Sequence, residues 1–344
     1  MNSSTSNSRS EWKVIASVLA VLLLGEAGLY FTEDWLSHDM QHLREIPAIL
    51  SFVKQGNAPR ILFLGNSLTH RGVFPDVVQG AWANTNRSDA RIGLVYPDDT
   101  ILTDWHYVYR RFVQPSRAQP QLLVICFADK HLEDGPVHSI ERLGGEFAGL
   151  AFASEALSHD VLSLSDRARY MLGATSRLWA NRERIQKRIL TMIPGYQELA
   201  PVINNYFRSS KQGEARAKPP TYNKLARFLD IVASDGIKVV FVATPLPERY
   251  PLPEDLHNTI SRGGAELVDL QGIERTGPDD FLDGYHLAPA AAERFSKALG
   301  MTLVNNDYAH NALWGARIQD AERDSVSHLQ SDPASWHDDL RLVK

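Results

Sequence analysis

Five short apolar runs punctuate the chain, at 60–64, 91–96, 121–127, 238–243 and 266–270, each bounded by polar or turn residues. Runs that are apolar throughout, rather than alternating, predict strands covered on both faces, as in a parallel sheet. Between them the period becomes helical. Tyr222, Leu225, Phe228, Leu229 and Val232 share one face ahead of Gly236, and 289–299 opens on Pro289 and is expected to stop at Gly300. Strands alternating with helices predict an α/β fold, doubly wound around a five-stranded parallel sheet.

The interval between the third and fourth runs is too long for an unstructured loop, so a helical insertion is expected over about 135–220. Within it, Arg167, Arg169, Arg177, Arg182, Arg184, Lys187 and Arg188 are mixed with Tyr170, Leu172, Leu178, Trp179, Ile185 and Leu190. Two readings of this basic amphipathic character stay open: a solvated face above a core-facing stripe, or a surface for anionic lipid or an acidic polymer. The main domain is expected over 60–304, with 32–59 as a juxtamembrane linker and 305–344 as a peripheral tail.

The longest apolar pattern is at 12–31, long enough as a helix to cross roughly 30 Å of hydrocarbon. A polar leader, 1–11, carries Arg9, and Lys13 opens the stretch, while Glu33, Asp34 and Asp39 follow it. The basic side is expected in the cytoplasm, which makes the stretch a signal anchor in the cell membrane with the bulk of the chain facing the periplasm or cell exterior. A cleaved signal peptide competes, with Val14 to Leu24 as its apolar region and Gly25-Glu26-Ala27 as its cleavage site, and a buried N-terminal helix is the third reading. Glu26 interrupts the stretch. An ionised carboxylate in hydrocarbon costs about 3 kcal/mol, so it is expected near the outer interface or against a partner helix.

Composition adds exclusions. The chain is 44% apolar and 22% charged, as an ordinary folded protein is, and its net charge of −5 offers no basic surface for nucleic acid. The single cysteine, Cys126, lies inside an apolar run and reads as a small buried hydrophobe. His38 and His42 share a helical face, but with no third ligand in view no metal site is expected. No phosphate-loop or dinucleotide signature is present, and no cofactor is expected.

Chemistry is expected at Ser67, which follows the first apolar run in Leu62-Phe63-Leu64-Gly65-Asn66-Ser67-Leu68-Thr69. The carboxyl end of a strand is where open α/β sheets place their ligand crevice. A serine hydroxyl attacks an ester only if a base takes its proton and a third group orients that base. Among 12 histidines, the Asp-x-x-His spacing occurs at Asp39/His42, Asp283/His286 and Asp307/His310. Asp283/His286 lies between the last run and the last helix, where the loop opens on the same edge as Ser67. The other two pairs are expected away from that edge.

These two blocks resemble those of the SGNH/GDSL hydrolases: LFLGNSLT is similar to their first block, and DGYHL to their last. The resemblance brackets residues 60 to 300 and implies a flavodoxin-like fold with Ser67 as nucleophile, His286 as general base and Asp283 as its orienter. Asn66 stands where the commoner motif has Asp. The anchor, the insertion and the segment VVFVATPLPERY bring the architecture closest to the membrane-anchored proteins of the family that O-acylate cell-surface polymers, the DltD-like and alginate O-acetylation-like ones. The chain departs from the family at the oxyanion hole. Its third strand ends Cys126-Phe127-Ala128-Asp129, without the family's asparagine, and its second ends Val95-Tyr96-Pro97-Asp98, without the glycine. Beside the Ser67 N–H, the substitutes in view are Asn66, Thr100 and Lys130.

The expected function is that of a serine-dependent esterase or O-acyltransferase, working through an acyl-serine on an acylated extracytoplasmic carbohydrate or cell-surface polymer. A transferase would also imply a multi-spanning membrane acyltransferase as partner. The rival is a non-catalytic scaffold of the same fold that binds a polymer or such a partner.

Overall fold

The computed structural model describes residues 8–82, 90–117, 119–196, 219–273 and 277–315. The five apolar runs are the five strands: β1 Arg60–Leu64, β2 Arg91–Val95, β3 Leu122–Phe127, β4 Lys238–Ala243 and β5 Glu266–Asp269. They form one parallel sheet in the order β2-β1-β3-β4-β5. The chain moves outward from β1 to β2 and then crosses back to β3. The order therefore reverses beside β1, and the crevice belongs at the carboxyl ends of β1 and β3.

Burial on both faces explains the apolar runs. In β3, Leu123, Ile125 and Phe127 join one core, with Leu62, Leu64 and Phe241, while Leu122, Val124 and Cys126 join the other, with Ile61, Phe63 and Val242. Only β5, at the sheet's edge, is half-exposed along its length. Cys126 is fully buried, and burial pushes its thiol up to about 12.

The first helix, α1 (Ser8–Leu36), contains one stretch, Glu11–Thr32, long and apolar enough to cross a membrane, and it is almost wholly exposed. After Ser37, α2 (His38–Lys54) turns back onto the sheet. Residues 32–59 are thus no linker: Ile46, Leu50 and Val53 project from α2 into the core, and the helix packs on β1 and β2. The buried apolar positions of α2, Met40, Leu43, Ile46, Leu50 and Val53, fall three or four residues apart, a helical stripe that Pro47 does not interrupt.

Beyond β1 come α3 (Ser67–Gly72) and α4 (Pro75–Gly80), and beyond β2 comes α5 (Leu102–Val108). The described part of the insertion is helical: α6 (Ala153–His159), α7 (Leu164–Thr175), α8 (Arg177–Ala180) and α9 (Arg182–Thr191). Its basic residues mostly have partners inside the protein. Arg169 and Arg182 pair with the buried Glu141, Arg184 with Asp39 and Glu146, Arg167 with the carbonyls of Val161 and Leu157, and Arg177 lies 4.8 Å over the Tyr30 ring. Lys187 and Arg188 are exposed. The insertion is a structural layer that holds five of these seven basic side chains against partners of its own or of the neighbouring helices.

Glu26 is part of that layer. Its carboxylate accepts the hydroxyl of Ser176 and the N–H groups of Arg177 at 2.8 Å and Leu178 at 3.3 Å, capping the start of α8. The acid that interrupts the apolar helix thus satisfies donors that the start of a helix otherwise leaves open.

After α10 (Asn223–Ser234), β4, α11 (Glu254–Arg262) and β5, the chain closes with α12 (Pro289–Asn305) and α13 (Asp307–His310). Gly300 does not end α12, which runs on to Asn305. A Cβ there would stand 2.6 Å from the Val78 carbonyl and 2.9 Å from Ala81 Cβ, so glycine serves the close approach of α12 to α4. Nor is the chain peripheral directly after Asn305. Ala309, Leu313 and Trp314 are buried, and Trp314 meets Trp82 edge-on at 5.8 Å. The remainder of the expected tail, 316–344, lies outside the described residues, as does 197–218 of the insertion.

Candidate active site

Ser67 is the first residue of α3, directly beyond the Gly65-Asn66 turn at the end of β1. That turn is tight. A Cβ on Gly65 would lie 1.9 Å from Thr69 Oγ1 and 3.0 Å from the Cys126 carbonyl, so a side chain there would push α3 off the strand ends. Asn66 caps the helix: its Oδ1 accepts the Leu68 N–H at 3.0 Å, and its Nδ2 donates to the Thr100 carbonyl at 2.9 Å. The cap aims Ser67 out of the sheet's edge. Among the described residues no acceptor meets the Ser67 N–H.

The second half of the site hangs on a short antiparallel bridge. Phe281 pairs with Leu287, both buried in the core beneath α12, and the Leu282 N–H donates to the His286 carbonyl at 2.9 Å. The five residues between the anchored ends are Leu282-Asp283-Gly284-Tyr285-His286. Asp283 Oδ1 accepts the N–H groups of Tyr285 at 3.1 Å and His286 at 2.8 Å, which winds the loop around the carboxylate.

His286 then links both halves. Its Nδ1 lies 2.8 Å from Asp283 Oδ2 and its Nε2 lies 2.9 Å from Ser67 Oγ. The His286 and Tyr285 N–H groups and the His286 ring hold the Asp283 carboxyl down to about 2, although the group is half-exposed. An ionised carboxylate accepts the Nδ1 proton, which leaves Nε2 with its lone pair toward the serine hydroxyl. Arg71, 3.9 Å away and exposed, adds a weak screened attraction to Asp283.

The other Asp-x-x-His pairs go elsewhere. Asp307/His310 packs at the opposite edge of the sheet, where the neighbouring Tyr308 bonds Val239 and Gly264 at the amino ends of β4 and β5. Asp39/His42, contrary to expectation, reaches the carboxyl end of β2. His42 Nε2 accepts the Tyr96 N–H at 2.9 Å, Asp39 accepts the Asp98 N–H at 2.7 Å, and the His42 ring stacks on Tyr96 at 3.7 Å. Tyr96 is in turn stacked on His70 at 4.2 Å, on the same short helix as Ser67. With its Nε2 engaged, His42 positions the loop after β2 and leaves the serine to His286. No local signal marks this role, because the partner is a backbone N–H that only folding brings near. His38, exposed beside it, completes no metal cluster among the described residues.

The expected oxyanion substitutes fare differently. The Asn66 amide is engaged as above, and Thr100 Oγ1 donates to the Pro97 carbonyl at 2.6 Å while accepting the Trp105 indole N–H at 2.9 Å. Both are buried struts of the turns around Ser67. Lys130 is exposed on the turn after β3. On the turn after β2, Asp99 has a φ of 55°, in the left-handed region that Asp tolerates.

No protein-family model matches this sequence, and no curated protein is detectably similar to it. Solved structures show loose likenesses. LAE5, an α/β hydrolase from the metagenome of Lake Arreo, Spain, is 12% identical with a TM-score of 0.35, covering 73% of this chain and 97% of its own. A variant of Axe2, an acetyl xylan esterase from Geobacillus stearothermophilus, is 10% identical with a TM-score of 0.35, covering 71% of this chain and 93% of its own.

Proposed function

We propose that the chain is a serine acyl-transfer enzyme, an esterase or O-acyltransferase, that acts through an acyl-Ser67 intermediate on an acylated carbohydrate or cell-surface polymer outside the cytoplasm. One observation carries the chemistry: His286 bridges Ser67 and Asp283 with contacts of 2.9 and 2.8 Å. Nucleophile and base in reach of each other, with the base held by a third group, are what covalent acyl transfer needs.

Ser67 Oγ attacks the ester carbonyl carbon as its proton passes to His286 Nε2. The ester's C–O bond then breaks, and the departing alkoxide takes that proton from His286, leaving an acyl-serine. Water, or an acceptor hydroxyl, gives its proton to the same Nε2 and attacks the acyl carbon, and Ser67 is regenerated. The ionised Asp283 stabilises the imidazolium formed in each half-reaction.

The location and substrate rest on two further features. Arg9 and Lys13 lie at the amino end of the apolar helix, which favours an anchor with the domain on the outer side. Asp283 and Tyr285 are exposed and Ser67 and His286 partly so, and an open face admits a hydroxyl on a long polymer. In the transferase form, a multi-spanning membrane acyltransferase would supply the acyl donor.

The test is labelling of the full-length protein with a fluorophosphonate probe, together with turnover of p-nitrophenyl acetate. Labelling confined to Ser67, with turnover lost in Ser67→Ala, is the expected result. A folded protein that neither labels nor turns over the ester would instead be a scaffold of this fold, and acyl release to water against release to an added carbohydrate separates esterase from transferase.

A further inference from the structure

The turn after β3 brings a second histidine against Asn66, the residue before the serine. Ala128 has no side chain that reaches the site, and the chain beyond it turns through Asp129, at a left-handed φ of 46°, into a single 3-10 turn over Asp129–Leu132. That turn folds His131 back over Ala128. The His131 N–H donates to the Ala128 carbonyl at 3.1 Å, and the ring Nδ1 accepts the Ala128 N–H at 3.2 Å. Trp105 stands edge-on to the ring, with centroids 6.0 Å apart and planes at 89°.

The ring therefore has two distinct ends. Nδ1 faces the strand end and lies 3.5 Å from the Asn66 amide, whereas Nε2 points outward to within 3.4 Å of the Tyr285 hydroxyl. Asn66 directly precedes Ser67, and Tyr285 directly precedes His286, so the immediate neighbours of the reacting pair flank this ring. Because a backbone N–H only donates, Nδ1 must be the accepting nitrogen and the ring proton sits on Nε2. Burial lowers the ring to about 4, so it is neutral at neutral pH. A fixed, neutral donor is suited to a charge that develops only in the transition state.

We propose that His131 Nε2–H is an oxyanion donor, acting with the Ser67 N–H on the tetrahedral intermediate formed at Ser67. This rests on the acyl-transfer reading above. Attack by Ser67 Oγ forms the new C–O bond and moves the carbonyl π pair onto oxygen. His131 donates a hydrogen bond to that oxygen and keeps its proton. When the pair returns, the alcohol leaves with the proton held by His286. His131 thereby supplies a contact that Thr100, whose hydroxyl proton is given to the Pro97 carbonyl, has no donor to make.

The experiment compares wild type, Ser67→Ala, His131→Ala and His131→Gln in the full-length protein, by kcat and KM on p-nitrophenyl acetate and by thermal midpoint. Glutamine reaches as far as histidine and carries an N–H at its tip, whereas its acceptor oxygen lies one bond farther from Cα than the ring Nδ1 that takes the Ala128 N–H. His131→Ala should lower kcat about a hundredfold or more with KM within about threefold. His131→Gln should recover at least a tenth of wild-type kcat while sharing the lowered thermal midpoint of His131→Ala. A structural histidine would instead give equal kcat in the two variants, and equal values overturn the proposal, as does an His131→Ala enzyme within threefold of wild type. A wild type no faster than Ser67→Ala would defeat the acyl-transfer reading itself, a result distinct from either.

Discussion

Asp283 holds His286 twice, by Oδ1 on its backbone N–H and by Oδ2 on its ring Nδ1, both at 2.8 Å. One carboxylate thus fixes both the position of the residue and the tautomer of its ring. In Asp283→Asn, the amide oxygen can keep the backbone bonds, but its NH2 group then faces the Nδ1 proton. The ring must move that proton to Nε2, where it opposes the serine hydroxyl. We expect kcat to fall by between a hundredfold and ten-thousandfold with little change in KM or melting temperature. With the carboxyl held down to about 2, it stays ionised at pH 4, so loss of activity there is not its titration. Steady-state kinetics at several pH values check both statements, and an Asn variant within threefold of wild type would remove Asp283 from the relay.

Stability should fall on mild acidification. His42 and His131 are each lowered to about 4 by burial, against about 6.5 in an unfolded chain. Between those values the unfolded chain binds protons that the folded one does not. Each ring's contribution is therefore complete above about pH 6.5 and is lost as pH falls toward 4, with a slope of about 1.4 kcal/mol per pH unit per proton. Asp104, raised to about 6 by burial, works in the opposite sense and offsets roughly one of these two protons over the lower part of that range. Denaturant unfolding at stepped pH values is the measurement, and His131→Gln should flatten the curve. Equal slopes in variant and wild type would contradict the assignment.

Asp39 should matter more to stability than its distance from the serine suggests. It joins Arg142, Arg184 and Glu146 in a buried four-member ion cluster, with Arg142 reaching Asp39 at 2.9 Å, Glu146 at 3.1 Å and the Asp98 carbonyl at 3.1 Å. Removing one acid leaves two buried guanidinium groups with a single counter-charge. Asp39→Ala is expected to cost about 3 kcal/mol or more and to lower kcat as well, since the loop after β2 loses the bond to the Asp98 N–H. Chemical denaturation and the ester assay test the two effects side by side.

Glu26 should act as a latch between the apolar helix and the insertion. Glu26→Ala removes the cap on α8, so amide exchange at Arg177 and Leu178 should accelerate, at a cost of about 1 kcal/mol. Turnover should change by less than about threefold, because α8 carries no group of the triad. Exchange rates identical to wild type at both amides would show that the cap is not formed in solution.

What could be read from the sequence was local. Apolar runs located all five strands because burial on both faces of a parallel sheet demands continuous apolar residues, whatever lies far away in the chain. Ser67 and the Asp283-x-x-His286 spacing were legible for a similar reason: a strand end and a four-residue loop define their own geometry. The tertiary structure decided the rest. Residues 32–59 form a core helix because the sheet supplies a face for Ile46, Leu50 and Val53. Gly300 lies inside a helix because α4 passes close by, and the residues directly after Asn305 enter the core because Trp82 waits there. Asp39, His42 and His131 gain their roles from backbone N–H groups at strand ends, donors that every residue but proline possesses and that no motif can mark. Hydrophobic period is a property of neighbours in the chain, whereas a polar group's partner is a property of neighbours in space.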